Sequence, residues 1–311
     1  MHLIRFPQLR HLPLHGCVAT LGNFDGVHVG HRAVIENLAE RGRALGLPVV
    51  VVLFEPQPRE YFAPNDAPAR LTRLREKLMC LKELPVDHVL LLRFDRHLAE
   101  MAAERFIDEI LVRTLDTRYL VVGDDFRFGH RRRGNFAMLE AAGAAQGFAV
   151  TDTESVLLDG QRVSSTLVRG TLARGDMAQA ARYLGRPYAV CGRVASGSRL
   201  GRQIGFPTAN IALRRRNTPL SGVFAVTMTG ICDQPLSGVA NIGTRPTVDR
   251  APTVLLEVHL FDFDRDIYGK LVEVQLHHKI RDERRFDGLD ALKAQISRDA
   301  EAARAYFAGI S

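Results

Sequence analysis

The hydrophobic positions of this chain follow two different patterns, and the change comes near residue 187. Before that point, short apolar runs alternate with segments whose apolar residues recur at helical spacing. The runs predict strands at 17–21, 49–54, 86–92, 119–122 and 148–150, and the segments predict helices at 32–45, 71–81, 103–110 and 136–145. This alternation is typical of a doubly wound parallel sheet. Ligands of such sheets bind beyond the carboxyl ends of the strands.

After residue 187, apolar runs follow one another with no helix between them. They predict strands at 190–195, 223–228, 236–241, 254–261 and 271–277. A small antiparallel β-barrel closed by one helix explains this pattern. The buried face of that helix is predicted to consist of Leu289, Leu292, Ile296, Ala300, Ala303 and Phe307. We therefore expect an α/β domain over 1–185 and a β domain over 186–311.

Composition narrows the class of protein. The chain has 311 residues, 46% hydrophobic and 25% charged, which suits a soluble globular protein with two domains. The longest strongly apolar run, 49–54, is far shorter than a membrane span, and the N-terminus has no apolar signal core. Cys17, Cys80, Cys191 and Cys232 are scattered. We expect a cytoplasmic protein with reduced thiols and no membrane partner.

The formal net charge of +7 suits either nucleic acid or small phosphorylated substrates. The densest basic runs, 131–133 and 214–216, are interpreted as solvated loops, because no RNA-recognition motif or zinc finger accompanies them. We expect small-molecule substrates and no nucleic-acid partner. A weak homo-oligomer is compatible with the sequence, which is silent on oligomeric state.

The segment 19–35 carries the first chemical indication. The predicted strand stops at Gly22, the backbone turns at Gly26 and Gly30, and a helix follows, so free N–H groups and the helix dipole can bind an anion. His28 and His31 are three residues apart, so their rings project to the same side of the first helical turn. Two imidazoles there can donate hydrogen bonds to a transferring phosphoryl group. A metal site or two surface histidines are the alternatives.

The string Gly-Asn-Phe-Asp-Gly-Val-His-Val-Gly-His at 22–31 resembles the His-x-Gly-His motif of the nucleotidyltransferase superfamily. It is most similar to the FMN adenylyltransferase module of bacterial FAD synthetases. The resemblance implies that His28 and His31 are catalytic and that Gly22, Asn23 and Phe24 bind ATP. Related enzymes usually have Pro-His-Pro where this chain has Gln57 between two prolines, which leaves the role of a third histidine in doubt.

Two more segments resemble the same module. Gly-Asp-Asp-Phe-Arg-Phe-Gly at 123–129 implies flavin binding by Asp125, Phe126 and Phe128, together with Asn23, although a buried hairpin explains the alternating phenylalanines equally well. The run 163–169 resembles a Ser-Ser-Thr-x-x-Arg motif that holds ATP phosphates. The residues implied are Ser164, Ser165, Thr166 and Arg169. Their hydroxyls could also simply cap a helix.

In the second half, the string Gly-Phe-Pro-Thr-Ala-Asn within 192–211 resembles a motif of riboflavin kinases. The composition alone favours a long flexible loop, but its glycines could also form a phosphate cradle. The residues implied to bind ATP are Gly197, Gly201, Arg202, Gly205, Phe206, Pro207, Thr208 and Asn210. Thr208 and Asn210 offer the hard oxygen donors that Mg²⁺ prefers, so they are its expected ligands.

The strand around 254–261 places Glu257 and His259 on the opposite face from Leu256 and Val258. A lone strand glutamate is usually solvent-facing, but the resemblance implies that Glu257 is the catalytic base. Further matches lie at 238–247 and 281–286, where flavin binding by Arg281 and Glu283 is implied. The chain departs from the family at Val248 and Lys279, where aromatic residues are common.

Taken together, these motifs occur in the same order as in the bacterial bifunctional riboflavin kinases/FMN adenylyltransferases, and the chain resembles that family over nearly its whole length. That resemblance implies an enzyme that uses ATP and Mg²⁺ to convert riboflavin to FMN in the C-terminal barrel and FMN to FAD in the N-terminal domain. One alternative is a nucleotidyltransferase for another phosphate, such as a pantetheine or nicotinate nucleotide. The other is a non-enzymatic RNA-binding protein that uses the positive charge.

Overall fold

The computed structural model describes residues 1–6, 15–153, 155–196, 205–213, 215, 217–247 and 250–309; the side chains of 244–247 and 250–253 are not described. The chain forms two compact units. The first comprises Met1–Ala67 and Lys77–Val163, and the second comprises Pro68–Glu76 and Ser164–Ser311. The boundary expected at residue 185, taken as the limit of independently folding parts, stays a prediction.

A parallel sheet forms the centre of the first unit, as the alternating pattern predicts. In spatial order its strands are β1 (His2–Phe6), β4 (His88–Arg93), β3 (Val49–Glu55), β2 (Cys17–Leu21), β5 (Thr117–Val122) and β6 (Ala149–Asp152). The sequence analysis missed β1, an edge strand whose Leu3 is exposed. A short hairpin, β7 (Leu157–Leu158) and β8 (Gln161–Arg162), follows the sheet.

Helices connect these strands. They are α1 (Val29–Leu45), α2 (Pro58–Phe62), α3 (Leu74–Lys82), α4 (Arg96–Glu100), α5 (Ala103–Phe106), which continues as a π-helix (Ile107–Thr114), and α6 (Phe136–Gln146). Both faces of the sheet are covered. Ala19 of β2 belongs to the same apolar cluster as Ile110 of the π-helix, whereas its neighbour Val18 packs with Leu38 of α1. The sheet is therefore doubly wound, as expected.

A closed antiparallel barrel dominates the second unit. Around the barrel its strands are β10 (Ala209–Ala212), β13 (Arg250–Leu260), β12 (Leu236–Thr247), β11 (Gly222–Thr229), β14 (Leu271–Arg281) and β9 (Tyr188–Ala195). Two helices, α7 (Ser165–Ala173) and α8 (Met177–Leu184), precede it and α9 (Leu289–Ala308) follows it. The predicted barrel is confirmed, with β10 as an additional strand inside the expected loop.

The buried face of α9 differs from the predicted one. Leu289 is exposed, while Gln295 and Asp299 are buried together with Ala303. Arg281 explains this polarity, because its guanidinium donates to both carboxylate oxygens of Asp299 at 2.7–3.0 Å. Apolar spacing alone could not locate a helix face that is anchored by a buried ion pair.

One of the basic runs also behaves differently from expectation. Residues 131–133 are exposed, as predicted, but Arg215 is buried and paired with Glu76. Arg215 also donates to the hydroxyl of Tyr188 at 3.1 Å and to the carbonyl of Arg70 at 3.0 Å. Arg215 therefore anchors the segment Pro68–Glu76 within the second unit.

No helix in the described ranges is long and apolar enough to cross a membrane. The four cysteines are free thiols. Burial raises the pKa of the Cys17 thiol to about 12, which keeps it protonated and unreactive at neutral pH.

Candidate active sites

The loop between β2 and α1 turns sharply at the carboxyl end of the sheet. Gly26 has a φ of +87°, and Phe24 and Val27 lie at +44° and +43°, in the left-handed region that non-glycine residues rarely adopt. Such strain costs of order 1–3 kcal/mol per residue and persists where the surroundings fix it. Here Lys77 contributes, because its Nζ donates to the carbonyl oxygen of Asn23.

The two histidines expected to be catalytic meet at the start of α1. His28 is the N-cap, and its Nδ1 accepts the backbone N–H of His31 at 3.3 Å. This hydrogen bond places the proton of the neutral His28 ring on Nε2. The two rings are stacked with centroids 3.6 Å apart and an interplanar angle of 18°. The ring of Phe24 supports His31 from 4.9 Å.

His31 is neutral at physiological pH. Burial, the neighbouring His28 and the ammonium of Lys77 together lower the pKa of His31 well below its usual value of 6.5. Its Nδ1 is buried and has no hydrogen-bond partner among the described residues. An unsatisfied buried polar atom costs about 1–3 kcal/mol, and a bound ligand is one way to satisfy it. The unsatisfied Nδ1 makes this pair a candidate ligand site, and a catalytic role for either histidine stays a prediction.

Lys77 was missed by the sequence analysis. Only 1% of it is exposed, although it is charged. The available signal was its position in α3, because it shares the helical stripe of Leu74, Leu78 and Leu81. A lysine among leucines is easily interpreted as snorkelling to the surface.

The segment after β3 presents a second orphaned polar group and an aromatic cluster. Gln57 is buried, and its Nε2 has no hydrogen-bond partner within the described part of the chain. Beyond it, the rings of Tyr61, Phe62 and Phe94 contact one another with centroids 5.2–5.7 Å apart, and Tyr61 and Phe62 are exposed. These rings follow the carboxyl ends of β3 and β4, and they suit a flat aromatic ligand. The sequence analysis did not identify them.

The two phenylalanines expected at the flavin differ in accessibility. Phe128 is 6% exposed and packs in the core against Phe106, with centroids 5.4 Å apart. Phe126 stacks on Phe128 at 5.6 Å and 19° and is half-buried. Asp125 is exposed beside it. Phe126 therefore has the accessible ring, and the role of either phenylalanine in flavin binding stays a prediction.

The expected phosphate-binding hydroxyls lie at the start of α7. Ser164 is its N-cap, and its Oγ accepts the Leu167 N–H at 3.2 Å. The capping interpretation is thus confirmed, and Ser165 and Thr166 occupy the first turn. Arg169 donates from Nε to the carbonyl of Ala69 at 2.7 Å. Binding of ATP by these residues stays a prediction.

Glu257 has a polar neighbour on each side in the barrel. It lies opposite Asn210 of β10 and opposite Asn241 of β12. Directly opposed residues on neighbouring strands share a face, so a carboxylate lies between two amides. Leu256 and Val258 point to the other face and are fully buried. The predicted alternation is confirmed, and Glu257 is half-buried rather than fully solvent-facing.

His259 contacts the described end of the expected ATP loop, at Phe206 and Pro207. Its Nδ1 lies 2.9 Å from the carbonyl oxygen of Pro207, to which it donates, and its ring contacts Phe206 at 5.3 Å. Gly205 has a φ of +89°, which favours glycine at the turn. Thr208 then lines a cavity of about 370 Å³ at this end of the barrel. The sequence analysis placed His259 on the correct face but gave it no role.

The residues expected at the flavin of the barrel have partners of their own. Glu283 accepts a hydrogen bond from Asn241 Nδ2 at 3.3 Å, and it lies so close to Gly243 that a Cβ there would clash with its carboxylate. Arg281 holds Asp299. Flavin binding by either residue stays a prediction. Gly197, Gly201 and Arg202 lie outside the described residues.

The expected magnesium ligands are an unusual set for a protein metal site. The described residues contain no group of three His, Cys, Asp or Glu side chains that could hold a metal ion. Thr208 and Asn210 offer one hydroxyl and one amide oxygen, and Glu257 faces Asn210 across the strand pair. Mg²⁺ usually binds to few protein oxygens and completes its shell with water and substrate phosphates, so this donor set is suitable.

Comparison with known proteins covers both halves of the chain. Residues 11–167 match the family model described as FAD synthetase, and residues 184–307 match the one described as riboflavin kinase. The chain is 54% identical over 308 residues to the bifunctional riboflavin kinase/FMN adenylyltransferase of Escherichia coli K12, covering 99% of this chain and 98% of that protein. It is 50% identical over 307 residues to the protein of the same name from Haemophilus influenzae, covering 99% of each chain.

A solved structure has the same fold over almost the whole chain. It is a crystal structure from Streptococcus pneumoniae described as a macrolide-efflux protein, with a TM-score of 0.83 and 29% sequence identity over 98% of this chain and 99% of that one.

Proposed function

Because this chain belongs to the family of bifunctional riboflavin kinase/FMN adenylyltransferases, we propose an assignment of its two reactions to the two sites described above. The enzyme acts in FAD biosynthesis: it phosphorylates riboflavin to FMN with ATP and then adenylylates FMN to FAD with release of pyrophosphate. We assign the adenylylation to the His28–His31 turn and the phosphorylation to the barrel around Glu257. The matches to both halves favour flavin over a pantetheine or nicotinate nucleotide, and an enzyme over an RNA-binding protein.

In the proposed adenylylation, a phosphate oxygen of FMN attacks the α-phosphorus of ATP. The new P–O bond forms as the bond to the β-phosphate oxygen breaks, and pyrophosphate leaves. His28 donates from Nε2–H, and the N-terminus of α1 adds its positive end, so both stabilise the charge that develops on the phosphoryl oxygens. The neutral His31 donates one further hydrogen bond. Binding of ATP phosphates by Ser164, Ser165, Thr166 and Arg169 is a separate part of the proposal, and it rests on the resemblance of 163–169 to a phosphate-binding motif.

The flavin ring needs an aromatic surface near this site. Phe126 offers one accessible face, and the cluster of Tyr61, Phe62 and Phe94 offers exposed rings at the carboxyl ends of two strands. Stacking of the isoalloxazine on such a ring contributes about 1 kcal/mol beyond burial of apolar area. We propose that Phe126 and Asp125 contact FMN.

In the proposed kinase reaction, Glu257 accepts the proton of the terminal ribityl hydroxyl while that oxygen attacks the γ-phosphorus of ATP. The products are FMN and ADP. Asn210 and Thr208 would hold Mg²⁺, which neutralises phosphate charge when bound. His259 supports the arrangement because it fixes Pro207, and with it Thr208, beside β13. The remaining catalytic effect comes from positioning.

The stacked pair of His28 and His31, with an unsatisfied Nδ1 at a strained helix N-terminus, is the observation that supports the adenylylation site best. The test is a time course with riboflavin, ATP and Mg²⁺, resolved by chromatography. FMN should appear first and FAD later, and omission of Mg²⁺ should stop both. Formation of FAD with no FMN intermediate, or no flavin product at all, would contradict the assignment.

A further inference from the structure

Lys77 is placed where lysines are rarely found. It is almost fully buried in the first unit, within the apolar stripe of α3. Moving an ammonium out of water is unfavourable unless hydrogen bonds and nearby groups compensate. The burial of this ammonium therefore calls for a polar partner nearby.

The hydrogen bond of Lys77 leads directly to the adenylylation site. Its Nζ donates to the carbonyl oxygen of Asn23, the residue that enters the strained turn. The next residue, Phe24, has a φ of +44°, and its ring lies against His31. Fixing the Asn23 carbonyl therefore restrains the neighbouring Phe24, whose ring contacts His31.

The charge of Lys77 acts on the same histidine. Burial and the stacked His28 lower the pKa of His31, and the ammonium of Lys77 lowers it further, because a second positive charge nearby is unfavourable. The described groups that act on His31 in this way are His28 and Lys77. The hydrogen bond of Lys77 and its charge therefore both act on His31.

We propose that Lys77 is a positioning residue for FMN adenylylation, which holds the Asn23 turn through its hydrogen bond and sets the electrostatic environment of His31. This inference rests on the proposed role of His31. Lys77 does not need to touch the substrate, because its effect passes through Asn23, Phe24 and His31.

The experiment uses the full-length enzyme and four variants. Lys77→Met removes the hydrogen bond and the charge, Lys77→Gln keeps a donor without the charge, and Lys77→Arg keeps both. The matched control is Lys82→Met, which changes an exposed lysine at the C-terminal end of α3. FAD formation is measured from FMN and ATP, and the titration of His31 is followed by NMR of ¹³C-labelled histidine, with the signal assigned from a His31→Gln variant.

We expect the kcat of adenylylation to fall by roughly 10²-fold in Lys77→Met, because misplacement of a catalytic group by about 1 Å costs that much. The KM for FMN should change little, and riboflavin phosphorylation should be unaffected. The pKa of His31 should rise in Lys77→Met and Lys77→Gln but not in Lys77→Arg or Lys82→Met. If Lys77 had a purely structural role, the pKa of His31 would not differ between Lys77→Gln and Lys77→Arg in this way.

Two results would overturn the inference. One is adenylylation by Lys77→Met within a few-fold of wild type, and the other is an unchanged His31 titration in Lys77→Gln. If Lys77→Met does not fold, the comparison of Gln with Arg decides alone. The proposed function is tested separately by His31→Ala, and normal FAD formation by that variant would reject it. If His31→Ala loses FAD formation but Lys77→Met makes FAD at the wild-type rate, only the role of Lys77 is rejected.

Discussion

The imidazole rings of His28 and His31 lie stacked at the N-terminus of α1, with their centroids 3.6 Å apart, and the backbone N–H of the second donates to Nδ1 of the first. This single hydrogen bond sets both the tautomer of His28 and the direction in which the pair faces. The orientation of both rings therefore depends on the helix cap, and a change in either ring affects the other.

We predict that His31→Ala abolishes FAD formation while riboflavin phosphorylation continues. Loss of one preorganised hydrogen-bond donor to the developing charge costs about 10²- to 10³-fold, and loss of the stacked ring also releases His28. Pyrophosphate release from FMN and ATP is the measurement. His97→Ala, which changes an exposed histidine, serves as the control. Normal pyrophosphate release by His31→Ala would reject the site.

The neutral state of His31 also predicts a pH dependence of stability. Below about pH 6.5 the unfolded chain binds a proton at this residue that the folded chain excludes, because the folded pKa is lowered. The free energy of unfolding should therefore fall as the pH decreases from about 6.5 toward the folded pKa, by at most about 1.4 kcal/mol per pH unit for this group.

Urea unfolding of the wild type and of His31→Phe between about pH 7 and pH 5 measures this contribution. The decline should be shallower in His31→Phe. It should persist in part, because the pKa values of His88 and His277 are also lowered, chiefly by burial. His97→Gln, which changes an exposed histidine, is measured beside it as the control. An identical slope in His31→Phe would show that His31 titrates normally in the folded chain.

The buried pair of Glu76 and Arg215 gives a third prediction. Burial opposes the charge of Arg215, but Tyr188 and Glu76 raise its pKa above the ordinary value, so it stays ionised. Glu76→Ala leaves a buried guanidinium without its carboxylate, and we expect the free energy of unfolding to fall by about 3–5 kcal/mol. The double variant Glu76→Met/Arg215→Met should recover only part of that loss, because the Glu76 carboxylate also accepts the backbone N–H groups of Cys191 and Arg73.

Unfolding in urea, followed by circular dichroism, compares these variants. Glu109→Ala, which breaks the more exposed pair with Arg105, is the control and should change stability little. If Glu76→Ala is as stable as the control variant, the pair does not anchor the segment Pro68–Glu76 to its unit.

The features behind these predictions differ in how far the sequence alone could predict them. Apolar runs located β2 and most strands of the sheet and the barrel, because each run is a local feature of the sequence, whereas β1 and β10 were not predicted. Spacing placed His28 and His31 together, because the relationship is confined to one helical turn. Glu76 and Arg215 are far apart in sequence, so no local pattern relates them. Lys77 lies in the leucine stripe of α3, but its partner Asn23 belongs to another segment, so that local pattern could not show what it binds.

The final prediction concerns Glu257. A ribityl hydroxyl is a weak nucleophile at neutral pH and gains from a carboxylate within hydrogen-bond reach, and Glu257 offers one between Asn210 and Asn241. Glu257→Gln preserves the shape and removes the base, so we expect phosphorylation of riboflavin to slow by roughly 10²- to 10⁴-fold. ADP binding should barely change, and FMN supplied directly should still be converted to FAD at the wild-type rate. Glu273→Gln, a half-buried glutamate on β14, is the matched control. Phosphorylation by Glu257→Gln within a few-fold of that control would make Glu257 an ordinary strand residue, and the base would have to lie elsewhere.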